Sequence, residues 1–513
     1  MRHPGWFLIV QCLCVLPFFE GYAQSLAETG GGGGPERTAT EPLDCTLYNI
    51  STSASFSTGG QTPFWMVSNR YGLVPLKANN GYLQAQVYHY QPLGGKFSLH
   101  AGIDMVAATP RYRNVYVQQL FAEVAYGRLL HLSVGSRGNV DYEADYHASL
   151  PDASLSSGDM VLSPNARPIP EINIYAPRFL PVPWTNDWLQ IRGNFAVGRS
   201  FDTDYLTSFV RTKQNYNRDV LWHHKSVYVR MKDMKGHFPF SMTVGIRHVA
   251  QWGGVSTSPA AGVQPHSLKD FVRVVVGQSG GSDATASDQI NVLGNHYGTY
   301  DFGLGYERPE ASLLVYYQHF FDDASGMEFY NGLDGLMGVQ LNLHRRGALN
   351  RVLVERLYTL NQSGPFHFID FDHDRYPGYG GGGDNYYNNG EYVTGASYFN
   401  RSTGSPLLIS PEYNRSGELG FRHNRIVAWY AGAEGDLAGN VSYRLRCSTV
   451  ESRGTPYAPT LKKLHAHSLA ATVTYRCRSA WLFSVTLAGD RGDLLGDHVG
   501  IGFSVARRGF LRE

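Results

Sequence analysis

The chain lacks the features that mark several common classes of protein. Only five of its 513 residues are cysteine, and Cys12 and Cys14 lie in an N-terminal apolar run, which leaves three at Cys45, Cys447 and Cys477. An odd number excludes a complete disulfide framework. The formal net charge is only +1, so the basic excess typical of nucleic-acid-binding proteins is missing as well.

Long hydrophobic runs are also missing. The longest, from Phe7 to Phe19, has about 13 residues, whereas a helix needs roughly 20 apolar residues to span a bilayer. Arg2 precedes this run and Gly21-Tyr22-Ala23 follows it, a pattern typical of a cleavable signal peptide over residues 1–23. The sequence therefore predicts an exported protein that keeps no membrane helix after cleavage.

Glycine and aromatic residues, by contrast, are abundant. The chain has 58 Gly, 33 Tyr and 26 Phe, a composition that favours β-strands and interfacial aromatic girdles. Its mean hydropathy of −0.27 resembles that of a soluble protein. A transmembrane β-barrel gives the same average, because each lipid-facing side chain alternates with a polar one that faces the lumen.

The last forty residues show this alternation most clearly. Apolar or small side chains occupy the odd positions of Leu469–Cys477, and the pattern returns in 481–487 and 499–505. Because successive strand side chains point to opposite faces, each of these segments has one apolar and one polar face. A soluble β-sandwich could also produce this pattern.

The same reading applied to the whole chain predicts 17 strands. They lie near 82–90, 97–106, 115–126, 129–136, 187–198, 224–232, 239–248, 270–277, 299–306, 312–319, 335–343, 350–357, 425–435, 440–449, 467–477, 480–488 and 497–506. Bacterial barrels of one chain have an even number of strands, so 18 is the nearest allowed number. We therefore predict an all-β fold, a transmembrane antiparallel β-barrel of about 18 strands over residues 61–513, after a flexible Gly-rich segment at 24–60.

The connections between these strands differ in length. Tight turns are predicted near 94–95, 127–128, 236–237, 347–348, 438–440 and 478–479, and long loops at 137–186, 199–222, 250–268, 278–298, 358–415 and 450–466. Outer-membrane barrels combine short periplasmic turns with long outer loops. The loops are rich in Tyr, Asn, Asp, Gly and Arg, which suits a surface that stacks on sugar rings, although outer loops are commonly polar and aromatic in any barrel.

Several stretches resemble one known family. They are WLQIRGNFAVG (188–198), HHKSVYVRM (223–231), VAQWGG (249–254), GNHYGTYDFGLGYE (294–307), YQHFFDDASGMEFYNGLDG (317–335) and GGDNYYNNGEY (382–392). Together they are similar to the capsule assembly Wzi family in its Bacteroidetes-type form, from about Pro63 to the C-terminus. The resemblance implies an 18-stranded outer-membrane barrel, closed to free diffusion, that acts as a non-catalytic surface lectin for capsular polysaccharide.

That family also carries a small helical plug at the periplasmic end. Here the segment 137–186 is rich in proline, so only 141–158 could form short helices. The expected partners are capsular or other surface polysaccharide and outer-membrane lipid, with no nucleic acid and a monomeric state. No cofactor or metal is expected.

Candidate polysaccharide-binding residues come from the loop with the most specific motif and its neighbours. They are Asp384, Asn385, Tyr386, Tyr387, Asn388, Tyr376, Tyr379 and Trp252. Tyr and Trp rings stack on sugars, and Asn and Asp bond to hydroxyls. Interfacial anchoring is the alternative explanation for the tryptophan.

Two other functions remain open. The predicted inward positions have some basic character, which would suit a porin or transport channel, or would meet an acidic polysaccharide. They are Gln190, Arg192, Asn194, Arg444, Arg446, Arg476 and Arg478. A hydrolase would need a nucleophile, and the only serine motif, Gly277-Gln278-Ser279-Gly280-Gly281, is not followed by an amphipathic helix.

Possible metal ligands also have simpler explanations. The stretch FIDFDHD (368–374) offers three carboxylates and an imidazole, but it lacks the glycine and glutamate of an EF-hand loop. The pairs His223-His224 and His465/His467 could bind a metal, although a place in the lumen or at the rim is the favoured explanation.

Overall fold

The computed structural model describes residues 44–138, 155–363, 368–369, 381–477 and 479–512, and these form a β-barrel. Its strands are β1 (Cys45–Ser57), β2 (Asn80–Gly94), β3 (Phe97–Thr109), β4 (Val115–Tyr126), β5 (Leu130–Ser136), β6 (Glu171–Tyr175, continued by Leu180–Pro181), β7 (Leu189–Arg199), β8 (Leu221–Lys232), β9 (Phe240–Trp252), β10 (Asn295–Glu307), β11 (Ala311–Phe321), β12 (Gly335–Leu343), β13 (Arg351–Tyr358), β14 (Ile426–Ala438), β15 (Val441–Gly454), β16 (Pro459–Arg476), β17 (Trp481–Arg491) and β18 (His498–Arg512).

Every neighbouring pair in this barrel is antiparallel, and the first and last strands close it. β1 pairs with β2 over Cys45–Ser55 and with β18 over Thr46–Ser57. Counted with the interrupted β6 as one strand, the barrel has the predicted 18 strands. Full closure leaves no exposed sheet edge.

The alternation along the strands gives an apolar outside. In β17, Phe483, Val485 and Leu487 are exposed, while Ser484 and Thr486 on the other face bond to threonines of β16 at 2.9 Å. The apolar parity recognised in the sequence therefore faces outward, as a lipid-facing surface requires. Glycines on the inner face make room for rings: a Cβ at Gly245 or Gly338 would clash with the tyrosine ring on the neighbouring strand.

The two ends of the barrel differ in their connections. At one end, which we call the turn end, short segments join the strands, and all six predicted tight turns lie there. The other end, the loop end, carries the connections 58–79, 110–114, 137–170, 200–220, 253–294, 322–334, 359–425, 455–458 and 492–497. This asymmetry matches the short turns and long loops of outer-membrane barrels.

Short helices occur in these loops. They are α1 (Phe64–Val67), α2 (Thr203–Phe209), α3 (Leu268–Val276), α4 (Ala286–Ile290) and α5 (Ala324–Met327), with a 3₁₀ turn at Pro411–Tyr413. Two-residue bridges pair Asn217–Arg218 with Val255–Ser256, Phe368–Ile369 with Gly381–Gly382, and Ser397–Tyr398 with Arg401–Ser402. Among the described helices, none combines the length and apolar character needed to cross a membrane.

Loops from the loop end fold into the lumen and fill it with a hydrophobic core. Leu155, Met160 and Val161 are fully buried there against the inward-facing side chains of β11 to β14, together with Trp65 and Tyr386. In the part of the chain that the structure describes, this plug is made of loops and α1, and no helix lies at the turn end. The expected periplasmic helical plug is therefore not seen in the described residues, and most of 141–158 lies outside them.

Hydrogen bonds to the barrel wall hold the plug in place. The carboxylate of Glu355 accepts bonds from Ser156 Oγ and Ser157 N, both at 2.7 Å, and from the hydroxyl of Tyr316. Asp159 accepts from Val161 N at 2.8 Å and pairs with Arg247 Nη2 at 2.5 Å. A hydrophobic core and buried charged bonds therefore occupy this part of the lumen.

Four sequence predictions need correction. The segment 24–60 is not flexible throughout, because Cys45–Ser57 is strand β1, so the barrel begins at Cys45 rather than at 61. The strand predicted at 270–277 is helix α3. The loop predicted at 450–466 is almost entirely strand, with only 455–458 between β15 and β16. The loop predicted at 137–186 contains strand β6.

Candidate functional site

The loop end carries a cavity of about 630 Å³ built around four aromatic rings. The ring of Tyr205, on α2, lies 5.2 Å from Tyr112, 5.8 Å from Phe209 and 5.5 Å from Phe399, measured between centroids. These residues come from the connections 110–114, 200–220 and 359–425. Aromatic faces at the mouth of a cavity are suited to stacking on the apolar face of a sugar ring.

Six basic side chains line the same cavity: Lys77, Arg111, Arg167, Arg211, Arg401 and Arg415. Three of them are committed to the fold. Arg401 is buried, pairs with Glu412 at 2.6 Å and donates to Val74 O. Arg167 stacks on the ring of Phe399 at 4.3 Å, and Arg111 donates to Gly72 O. The basic charge of this cavity is therefore only partly neutralised, because Glu412 is its single acidic lining residue.

Three of these cations are exposed and available to a ligand. Lys77, Arg211 and Arg415 are all exposed, and no described carboxylate forms an ion pair with any of them. Their positive charge makes the cavity attractive to an anion.

A second, larger cavity of about 1470 Å³ continues the first across the loop end. The two share Gln61, Asn414 and Arg415 in their linings, so they adjoin each other. We call the two adjoining cavities the loop-end cleft. Together they offer more room than a compact small molecule needs, which suits a chain of several residues.

Two of the predicted residues, Asn385 and Asn388, line the loop-end cleft. Both also fix the loop: Asn388 bonds to the backbone of Phe421 in both directions, at 2.7 and 2.8 Å, and Asn385 Oδ1 accepts from Asn424 at 2.8 Å. Their half-buried amides combine a structural role with access to the cleft.

The neighbouring tyrosines, by contrast, are buried in the plug. The hydroxyl of Tyr386 accepts from Asn331 Nδ2 at 2.8 Å, and that of Tyr387 donates to Met160 O. The ring of Tyr387 packs edge-on against Phe421 at 5.2 Å. Stacking of these two rings on a sugar does not fit their burial, so the structure gives them a packing role instead.

Trp252 also lies away from the cleft. It is buried on the outer wall of the barrel, where its ring stacks on Phe271 at 5.6 Å. Tyr376 and Tyr379 lie outside the described residues, as does most of the FIDFDHD stretch. The sequence-based site is thus divided between the cleft, the plug and the outer wall.

Asp384 belongs to a cluster with Asp322 and Asp323, whose carboxylate oxygens lie within 4.8 Å of one another. Burial, followed by the charges of Asp384 and Asp323, raises the pKa of Asp322 well above its ordinary value. Nearby, burial raises the pKa of Asp334 to about 7, although its carboxylate accepts from Gln362 N at 2.7 Å. Oxygen ligands in this arrangement are of the kind that could hold a divalent cation.

The remaining candidate motifs lie in different places. His224 bonds to Glu171 at 2.8 Å on the inner face of β8. His465 and His467 line the larger cavity of the cleft, with parallel rings 6.4 Å apart. The serine motif follows helix α3, with Gly277 as its left-handed C-cap, rather than a strand. The nucleophile-elbow geometry is therefore not present.

Sequence reasoning missed the aromatic and basic residues of the cleft. Tyr112, Tyr205, Phe399 and Arg211 belong to three different connections and carry no motif of their own. A weak signal existed in PRYR (110–113), where aromatic and basic residues alternate in a short loop.

Comparison with known proteins agrees with this architecture. The structure resembles Wzi from Escherichia coli, whose solved structure is described as a carbohydrate-binding β-barrel outer-membrane protein involved in group 1 capsule assembly. The TM-score is 0.53 at 10% sequence identity, over 97% of this chain and 94% of that one. Pseudomonas aeruginosa OpdL and OpdQ align with TM-scores of 0.45 and 0.44 at 11% and 9% identity, each over 91% of this chain and 99% of theirs.

No curated protein matches the sequence significantly. The family model described as capsule assembly protein Wzi matches residues 156–407, which span β6 to β13, the plug segment and most of the long connection that contributes to the cleft. By this match, the segment 156–407 of the chain belongs to the Wzi capsule assembly family.

Proposed function

We propose that this protein is a non-enzymatic outer-membrane barrel that binds surface polysaccharide in the loop-end cleft and so helps to hold a capsule on the cell. The observation that carries the proposal is the combination, in one cleft, of the aromatic group around Tyr205 with the exposed cations Lys77, Arg211 and Arg415. Family membership supports the same function.

The filled lumen favours binding over transport. A diffusion channel needs a continuous water path, and here the plug brings a hydrophobic core into the barrel. The plug is latched to the wall through Glu355 and Asp159, whose bonds are buried. A porin function is therefore the weaker candidate, and planar-bilayer conductance of the purified protein tests it directly.

The charge of the cleft points to an acidic polymer. Three exposed cations that no described carboxylate neutralises would attract uronate, phosphate or similar groups along a polysaccharide. The aromatic rings would meanwhile contact the apolar faces of the sugars. Binding by exposed charges weakens as ionic strength rises, because salt screens them.

Reversal of the charges tests the site. We expect the double variant Arg211→Glu/Arg415→Glu to bind acidic capsular polymer about 30-fold more weakly, at about 1 kcal/mol for each exposed interaction lost. The measurement is the dissociation constant of the detergent-solubilised protein for polymer purified from its own host, by calorimetry. Heat-modifiable mobility on gels checks that the barrel is intact.

A matched control carries the same change in net charge at the opposite end of the barrel. Lys235→Glu/Arg345→Glu alters two exposed cations of the turn end. Equal loss of affinity in both variants would mean that overall charge, not the cleft, governs binding. In encapsulated cells, deletion of the gene should move finished polymer into the medium without reducing total synthesis, and an unchanged distribution would contradict the anchoring role.

A further inference from the structure

One sector of the outer wall is polar where the rest is apolar. On β8, β9 and β10 the outward-facing positions near the loop end include His223, Lys225, His248 and His296. Farther along the same strands, outward positions carry valine, methionine and phenylalanine. A cluster of three imidazoles and an ammonium group is unsuited to direct contact with lipid.

A loop segment covers this polar sector from the outside. Residues 267–293, which we call the outer flap, run between β9 and β10 and include helices α3 and α4. The ring of Phe271 lies 5.6 Å from both His223 and Trp252, and the flap residues Val274 and Leu293 are fully buried.

Polar bonds complete the cover. Lys225 donates to the carbonyl oxygen of Val275 in the last turn of α3, and His248 bonds to His296 at 2.9 Å. A lysine that meets the free carbonyls of a helix C-terminus is favourably placed. The polar groups of the wall are thus removed from any lipid that surrounds the barrel.

The outer face of the flap is apolar. Leu268, Val272 and Val276 follow one another at four-residue spacing along α3 and are 79%, 53% and 57% exposed, and Ile290 of α4 is 82% exposed. Residues four apart lie on the same side of a helix. The helix is well formed, because Ser267 and Asp270 make a capping box.

This apolar face lies beside the lipid-facing belt. Ile191 and Phe195 on β7 and Val227 on β8 are exposed on the same wall, and the ring of Phe195 lies 6.2 Å from Phe271. Val275 is bonded to Lys225, four residues into β8, which places the C-terminal end of α3 about 13 Å along the strand from its loop end. Amphipathic helices insert to about 5–10 Å into the headgroup region.

We propose that the outer flap is a membrane-interface element, and that Leu268, Val272, Val276 and Ile290 contact the lipids of the outer leaflet. The flap replaces a polar sector of the barrel wall by an apolar surface continuous with the belt. Lipid is the occupant because the face adjoins a surface that lipid already covers in a membrane-spanning barrel. A second copy of the chain is the alternative that the test must separate.

Site-directed spin labelling tests the proposal with the full chain in vesicles of phosphatidylethanolamine and phosphatidylglycerol. A nitroxide is attached at Val272→Cys in a chain whose Cys45, Cys447 and Cys477 are replaced by alanine. The exposed Cys447, retained alone, provides the belt reference, and Ser279→Cys provides the polar reference within the flap.

We expect the label at 272 to match the label at 447 in its high accessibility to oxygen. Its accessibility to a water-soluble nickel chelate should be at least fivefold lower than that of the label at 279. Equal chelate accessibility at 272 and 279 would overturn the proposal. Dipolar broadening between the labels at 272 of two chains, at every lipid-to-protein ratio, would overturn the proposal and show that a second copy of the chain covers this face. If Val272→Cys fails to fold, Ile290→Cys gives the same comparison.

Discussion

The latch at Glu355 gives a quantitative test of the loop-filled lumen. Its carboxylate accepts three hydrogen bonds, from Ser156 Oγ and Ser157 N at 2.7 Å and from the hydroxyl of Tyr316. Replacement by alanine leaves these donors buried. The two hydroxyls can rotate toward other acceptors, but the backbone N–H of Ser157 cannot.

We estimate the cost of Glu355→Ala at about 3 kcal/mol, because hydrogen bonds to a charged group contribute about 1.5–3 kcal/mol each and the loss of a buried charge offsets part of the total. The substitution destabilises the docking of the plug segment around Ser156 and Ser157, because the barrel strands keep their own backbone hydrogen bonds. The equilibrium constant for release of the segment should rise about a hundredfold. Glu355→Gln keeps one acceptor for Ser157 N, so its effect should be much smaller.

The assay is conductance in planar bilayers, with proteolysis of the plug as a second readout. We expect almost no conductance from the wild-type protein, brief openings from Glu355→Ala and rare ones from Glu355→Gln. Asn342→Ala is the control, because its inward amide donates to Ser312 on the neighbouring strand at 3.0 Å. A folded Glu355→Ala barrel that conducts no more than the Asn342→Ala control would refute the latch.

Three further predictions concern the cleft, the plug and pH. Tyr205→Ala should weaken polymer binding several-fold in calorimetry while Tyr205→Phe keeps most of it, because stacking uses the ring; equal losses would implicate the hydroxyl. Gly432→Val should loosen the plug and raise its protease sensitivity, since even a Cβ at 432 would lie 2.8 Å from Leu155; unchanged sensitivity would argue against tight packing there. Burial raises the pKa of Asp334 from 3.8 to about 7, so the folded state binds the proton more tightly than the unfolded state. The contribution of this group to the free energy of unfolding therefore falls as pH rises from about 4 to 7. The guanidinium midpoints at pH 5 and pH 8 should differ less in Asp334→Asn than in the wild type, and an equal difference in both proteins would exclude this linkage.

Periodicity predicted most of the barrel because most strands alternate large apolar and polar side chains. Strand β1 escaped because its inward positions from 51 to 57 are all serines and its sequence, CTLYNISTSASFS, has few large apolar residues. Strand β6 escaped because it lies in a proline-rich segment. Both are recognisable only through pairing with distant strands, which one sequence does not reveal.

Helix α3 was mistaken for a strand for a different reason. Its sequence FVRVVV is rich in β-branched residues, which favour strands, yet Ser267 and Asp270 form a capping box that was readable in the sequence. A start signal of this kind outweighed residue preference here. Because of this error, the serine motif at 277–281 was also expected to follow a strand, whereas it follows helix α3.

The candidate site was only partly predictable. The motif DNYYNN contains Asn385 and Asn388, which line the cleft, but composition could not distinguish an exposed tyrosine from one that packs inside. Tyr386 and Tyr387 are buried because their hydroxyls find partners within the plug. Tyr112 and Tyr205 meet only through folding of separate loops.

Closure of the barrel through β1 and β18 ties its completion to both ends of the chain. Cys45–Ser57 is a neighbour of the last strand, although more than four hundred residues separate them. An assembly intermediate that lacks either strand therefore keeps two unpaired edges, which can pair with other chains. The seam between the first and last strands thus acts as a checkpoint in biogenesis: a chain truncated at either end remains an open, aggregation-prone sheet.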